Sequence, residues 1–282
     1  MTLSVRVFNT GYTFVDGGPG WDNHTSATWP SSTASLIAGD RDAVLVDALM
    51  TIEQGRQLVS WIGSVNRNLT NIAITHGHGD HFFGAGPVLR AFPAARLLAL
   101  NDDVIREARL HLQPEIMSNW IGWFGDRFDH AAAVPVKAGP EVLELEGTPL
   151  SWLAVGGADG TLATVIHVAE LDTVLAGDAV YNDIHMWLWN STPESRATWL
   201  ATIDAVAELK PRTIIAGHRD QGAADDEANR QLAQSRRYIE DFDRAVGSYK
   251  SASQLIDTMM TTYGNYGNPY SLFLSAYSQF PS

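Results

Sequence analysis

The chain has 282 residues, a formal net charge of -13 and no cysteine. That length buries a sizeable core without covalent staples, and the missing thiols exclude disulfides, cysteine nucleophiles and thiolate ligands. Any metal must then be held by imidazole and carboxylate, and the acidic balance, with Arg236-Arg237 as the densest basic pair, argues against a nucleic-acid partner.

The opening stretch MTLSVRVFNTGYTF has no charged n-region, apolar h-region or small-residue cleavage site, and no apolar run approaches the length of a membrane span. A cytoplasmic protein with no membrane partner is expected. Short β-branched runs bounded by Gly, Asn or Asp predict strands at Ser4 to Phe8, Ser35 to Ala38, Ala43 to Asp47, Asn71 to Thr75 and Arg96 to Leu100. Between them, Thr51 and Gln54 form a capping box ahead of IEQGRQLVSWIGSV, and NDDVIREARLHL begins with helix-starting Asn and Asp.

The second half repeats the style without a sequence repeat. Strands are expected at Glu141 to Leu145, Leu150 to Val155, Thr164 to Val168, Thr173 to Ala176 and Thr213 to Ala216. Thr192-Pro193 places an N-cap and an N1 proline before a helix ending near Lys210-Pro211. A long helix follows from about Ala224 to Val246, a shorter one after Ser253, and then a Tyr-, Asn- and Gly-rich tail from Tyr263. The alternation predicts an α/β domain over 1–282, two αβ halves of about 1–150 and 151–282, with two packed sheets covered by outer helices.

The chemistry concentrates in ITHGHGDHFFG. Thr75 ends an apolar strand, which places His76, His78, Asp80 and His81 just past a strand end, where α/β folds carry function. Histidines two apart can point the same way, and the intervening glycines let the loop curl around an ion.

The stretch resembles the His-x-His-x-Asp-His signature of the metallo-β-lactamase superfamily, and the strand and helix order is similar over nearly the whole chain. The resemblance implies a four-layer αββα sandwich with a metal centre at one edge of the sheets. It implies one ion on His76, His78 and a later histidine, and another on Asp80, His81 and a last histidine, with an aspartate bridging them. TVLAGDAVYN offers Asp178 for the bridge, and PRTIIAGHRD offers His218 for the last ligand. At the remaining histidine position the chain reads VGGADGTLATVIHV, and the counterpart the resemblance implies is Gly157, which has no side chain to ligate. Three accounts stay open: Asp159 supplies a carboxylate instead, the site is mononuclear on Asp80, His81, Asp178 and His218, or the position was altered from the natural residue. An ordinary turn role for Asp159 competes with the first.

Asp47 resembles a carboxylate that supports the metal loop without binding the ion. His167 is expected to be a packed strand residue, and His24, His111 and His130 to be surface or structural. The resemblance implies one or two zinc ions, with manganese or iron as alternatives, and hydrolysis of an ester, lactone, amide or thioester by activated water. Asp80 would orient or shuttle a proton, while Tyr181 and His185, following Asp178, are candidate oxyanion partners. Aromatics in GWDNHTSATWP, NWIGWFGDRF, MWLWN and the tail form either a rim for a hydrophobic or cyclic small molecule or core and a homodimer contact. A degenerate binding protein or an iron-dependent oxygenase is the alternative to the hydrolase.

Overall fold

A computed structural model describes residues 2–280 apart from 19, 22–25, 130–133 and 138–141. The expectations for His24 and His130, and the strand start expected at Glu141, lie outside the described residues. Along the chain come β1 (Ser4–Asn9), β2 (Thr13–Phe14), β3 (Thr28–Trp29), β4 (Thr33–Ala38), β5 (Asp42–Val46), α1 (Ile52–Val65) and β6 (Asn68–Ile74). They are followed by α2 (Gly79–Phe82), α3 (Ala85–Ala91), β7 (Arg96–Ala99), α4 (Asp102–His111), α5 (Pro114–Phe124) and β8 (Val136–Lys137). Then come β9 (Val142–Leu145), β10 (Thr148–Ala158), β11 (Thr161–Val168), β12 (Thr173–Gly177) and α6 (Pro193–Glu208). The chain closes with β13 (Thr213–Ala216), α7 (Ala228–Ser248), α8 (Ala252–Tyr263) and α9 (Pro269–Gln279).

One sheet has the order β1-β4-β5-β6-β7-β8 and the other β13-β12-β11-β10-β9. Ile37, Val44, Val46, Ala73 and Leu98 of the first meet Leu150, Trp152, Ile166, Leu175 and Ile215 of the second in a shared apolar layer. The alternate residues Leu36, Leu45 and Ile72 pack outward against Leu58 and Ile62 of α1. On the far side Val165, Val174 and Ile214 pack against Trp199 and Ile203 of α6 and Phe242 of α7. Strands buried on both faces read as continuous apolar runs, and each such side chain contributes about 1.5–3 kcal/mol by leaving water. The result is the four-layer αββα sandwich, with the second sheet starting at Val142, before the boundary near 150.

Local signals explain the helix ends. Thr51 and Gln54 close the expected capping box of α1, and Thr192 caps α6 reciprocally with Ser195 ahead of Pro193. The long helix begins at Ala228, four residues after the expected Ala224. Within the tail, α9 starts with Pro269 behind a left-handed Asn268; its Ser- and Tyr-rich sequence gives a weak apolar period, so only the proline signals it.

Strand direction positions the site. β5 runs parallel to β6 and β12 parallel to β13, while β10 and β12 are both antiparallel to β11. The residues just past β5, β6, β10, β12 and β13 therefore gather at one edge of the sandwich: Asp47, His76, Asp159, Asp178 and His218.

Candidate metal centre

Asp47 anchors the loop after β6. In a left-handed conformation, its carboxylate accepts the Thr75 backbone N–H at 2.8 Å and the Thr75 hydroxyl at 2.9 Å. The same carboxylate meets His81 Nδ1 at 2.9 Å. Gly77 is needed because α4 lies on the loop: a Cβ there would come within 2.5 Å of the Ala108 backbone nitrogen.

Each histidine uses one ring nitrogen outward. Nδ1 of His76 meets the Thr75 hydroxyl at 3.1 Å, Nε2 of His78 faces Glu107 at 3.4 Å, and Nδ1 of His218 meets Ser32 Oγ at 3.2 Å. With Asp47 on His81, all four rings are oriented by a protein partner, which leaves the opposite nitrogen to point inward. Inside, His76 Nε2 lies 3.7 Å from Asp178 Oδ2, His81 Nε2 3.3 Å from Asp178 Oδ1, and His218 Nε2 3.4 Å from Asp178 Oδ2. His218 Nε2 is also 3.3 Å from Asp80 Oδ2, and His78 Nδ1 is 3.2 Å from Asp159 Oδ2.

Two donor groups result: His76, His78, Asp159 and Asp178, and Asp80, His81 and His218, each with ligand atoms within 4.8 Å of one another. Tetrahedral donors about 2.1 Å from a common ion would stand about 3.4 Å apart, close to these spacings. Nε2 of His76, Nε2 of His81 and Oδ1 of Asp178 are buried without a hydrogen-bond partner. Among the described residues no lysine or arginine pairs with Asp80, Asp159 or Asp178. Buried anions and orphaned imidazole nitrogens with no basic side chain to compensate them fit divalent cations.

Burial lowers His78, His81 and His218, but the facing carboxylates outweigh it and raise all three, so an ion would have to displace protons from these rings. Burial pushes Asp159 up to about 7 despite the neighbouring His78. Burial also opposes ionisation of Asp178, but His218, His81 and His76 outweigh it and hold that carboxyl well below the usual range. His76 is depressed by burial and by His81, so its neutral, ligating form is favoured.

All six expected ligands, His76, His78, Asp80, His81, Asp178 and His218, come together here, and Asp159 joins them. A Cβ at Gly157 would lie 3.1 Å from Thr198 Cγ2 of α6, so a side chain there starts against that helix. Two residues later, in the β10–β11 turn, Asp159 brings a carboxylate oxygen into the first donor group. Tyr181 is at the site, its hydroxyl donating to Asp178 Oδ2 at 3.1 Å. His185 is not: its Nδ1 meets the Tyr238 hydroxyl at 2.9 Å and its ring packs on Tyr238 and Tyr266. Nearness to Asp178 in sequence misleads because the chain turns at Asp183, which has positive φ.

The structure adds Trp29, Glu107 and His111. Trp29 Nε1 donates to Asp80 Oδ2 at 3.0 Å. Glu107 also accepts the Gly77 N–H at 3.0 Å; burial disfavours its charge, but His78 holds it down at about 2. His78, Glu107 and His111 could form a third donor group, but the His111 Nδ1 lone pair is already engaged by N–H donors from Gly79 and Trp120, each at 3.2 Å. Burial and His78 lower His111 to about 4, leaving it neutral at neutral pH. The i,i+4 spacing of Glu107 and His111 on α4 was the available sequence signal for this pair.

A cavity of about 410 Å³ opens onto Asp80, Asp159 and His218, walled by Trp29, Trp120, Trp123, Trp187 and Trp189, with no lysine or arginine among its described lining residues. The aromatics of GWDNHTSATWP, NWIGWFGDRF and MWLWN thus divide: these five line the cavity, whereas Trp21 packs on Tyr270 and Phe273 of the tail.

Residues 27–218 match the family model described as the metallo-beta-lactamase superfamily. The chain belongs to that superfamily. Its fold is similar to a beta-lactamase domain protein from Burkholderia ambifaria (TM-score 0.65, 15% identity, covering 97% of this chain and 85% of that one). It is also similar to a metallo-beta-lactamase family protein from Thermus thermophilus (TM-score 0.61, 19% identity, 88% and 87% covered). The metallo-beta-lactamase FIM-1 from Pseudomonas aeruginosa, solved in a mono-zinc form, matches at TM-score 0.59 and 16% identity, with 84% and 91% covered. At these identities the likeness is one of fold. No curated protein matches the chain. Among the described residues, no helix of this superfamily member is long and apolar enough to cross a membrane.

Proposed function

We propose that the protein is a metal-dependent hydrolase of small, neutral, hydrophobic or cyclic esters, lactones, amides or thioesters. The observation that carries this reading is the indole-walled cavity, with no lysine or arginine among its described lining residues, opening directly on the His/Asp cluster. Such a wall favours apolar or aromatic surface, and beyond the ions themselves a substrate carboxylate, phosphate or sulfate would find no lysine or arginine among the described lining residues.

His76, His78 and Asp159 would hold one ion, Asp80, His81 and His218 another, with Asp178 between them. Zinc suits this imidazole and carboxylate set, and the added carboxylate of Asp159 also accommodates manganese or iron. When bound, such ions supply hydroxide near neutral pH and polarise a carbonyl. The chain's own groups do the rest. Trp29 fixes the rotation of Asp80, which faces the cavity and is placed to hold the attacking water and accept its proton. Burial and the neighbouring Asp178 keep the Tyr181 hydroxyl protonated; its one proton goes to Asp178 Oδ2, so it steadies that carboxylate and would reach a developing oxyanion only by turning away from it. The alternative of a mononuclear binding protein or oxygenase is less well supported, because Asp159 gives the first donor group its full complement.

The test is metal content per chain together with turnover of paired neutral and carboxylate-bearing esters and lactones. About two ions and a preference of tenfold or more for neutral substrates support the reading. A chain holding two ions that is inactive on the panel, or prefers the anionic members, overturns it.

A further inference from the structure

The helix α4 histidine, which has no place in the metal chemistry, has a defined hydrogen-bonding state. Gly79 N–H and Trp120 Nε1–H converge on Nδ1 of His111, both at 3.2 Å. A nitrogen that accepts two N–H groups must carry the lone pair, so the proton resides on Nε2. That nitrogen has no hydrogen-bond partner among the described residues, and it is not among the buried unpartnered atoms. The ring forms part of the cavity wall and lies 4.8 Å from the ring of His78.

We propose that His111 is a substrate-positioning residue whose Nε2–H donates to a neutral oxygen of the substrate, a carbonyl, ether or hydroxyl, on the His78 side of the cavity. This deepens the hydrolase reading and rests on it for the identity of the substrate. Gly79 belongs to the metal loop and Trp120 to the aromatic wall, so one ring ties both to a single outward donor. A charged ligand is not what this donor suits: the ring is neutral, and Glu107 stands on the same helix face one turn away. A neutral oxygen acceptor completes the donor without adding charge beside the carboxylates.

The experiment begins without substrate. In 15N-histidine-labelled, metal-loaded protein, with His111→Phe used to assign the signal, nitrogen shifts should report the Nε2–H tautomer at neutral pH; the Nδ1–H tautomer would overturn the proposal. The kinetic arm uses p-nitrophenyl esters and aromatic lactones. His111→Phe should raise KM about tenfold with kcat within about threefold, and His111→Gln, whose amide donates from a similar reach, should recover most of the loss. Unchanged KM in His111→Phe on substrates the wild type hydrolyses would overturn the inference while leaving the hydrolase standing. A fall in metal content in both variants would also overturn it, by assigning His111 to the scaffold. If the wild type hydrolyses nothing on the panel, the hydrolase reading fails and the tautomer alone decides whether His111 is a free donor.

Discussion

The two halves build the same centre in different ways. The first half supplies His76, His78, Asp80 and His81 from one short loop, with Asp47, Thr75 and Glu107 holding the ring nitrogens nearby. The second half supplies Asp159, Asp178 and His218 one at a time, each from the end of a different strand, so their convergence depends on the register of β10 to β13. A loop of clustered ligands tolerates the loss of one outer support, whereas a lone donor from a strand end has no neighbour to replace it. Asp178 is the sharpest case, standing within 3.7 Å of His76, His81 and His218. Asp178→Ala should therefore lower metal content to below one ion per chain and reduce hydrolysis by at least about 10³-fold. Normal content and turnover in that variant would dissolve the proposed centre.

Asp159 and Gly157 divide the second half further. Asp159→Ala should remove about one ion per chain and cost about 10²-fold in activity, while Asp159→His should retain two ions. Gly157→His should leave stoichiometry unchanged, because its side chain starts toward Thr198 of α6. A gain of metal at Gly157→His with no loss at Asp159→Ala would exchange the two roles and return the first site to the position named from sequence.

The outer partners test the first half. Glu107→Gln and Asp47→Asn each keep size but weaken the hold on one ring, His78 and His81 respectively. Metal affinity should fall about 10- to 100-fold in each, with the folded chain retained. Competition with a chelator measures this, and equal affinity in all three proteins would show that the loop orients its own rings. The wild-type affinity itself should rise with pH, since ions displace protons from the ligands.

How far the sequence could be read follows the same division. The layered fold was legible because buried strands and capped helices announce themselves locally, Thr51 with Gln54 and Thr192 with Pro193 among them. The loop from His76 to His81 was legible because its spacing is itself the geometry. Asp178 and His218 were readable only in combination, as Gly-Asp and Gly-His at strand ends. Asp159 was ambiguous because an Asp-Gly hairpin turn is ordinary turn chemistry, and only packing decides where the carboxylate points. Trp29, Glu107 and His111 reach the site through tertiary contacts across 51, 30 and 32 residues of chain; the i,i+4 spacing pairs Glu107 with His111 on one helix face but does not say that this face meets the loop.

His185 supplies the finest comparison, between an orphaned imidazole nitrogen that faces carboxylates and one that faces rings. Nε2 of His81 and Nε2 of His185 are both buried without a partner, yet His185 has Tyr238 and Tyr266 around it and, among the described residues, no carboxylate acting on it. Burial lowers it from 6.5 to about 4. The unfolded chain therefore binds this proton at a higher pH than the folded one. The stabilisation is fully present above pH 6.5 and is lost as pH falls toward 4, a difference of roughly 3 kcal/mol. Thermal unfolding of the metal-free protein at pH 7 and pH 4.5 should show a smaller acid loss in His185→Gln than in the wild type. Turnover and metal content at pH 7 should stay within about twofold. A large loss of turnover with stability intact would restore His185 to the reaction and would require the segment after Asp183 to approach the cavity during turnover.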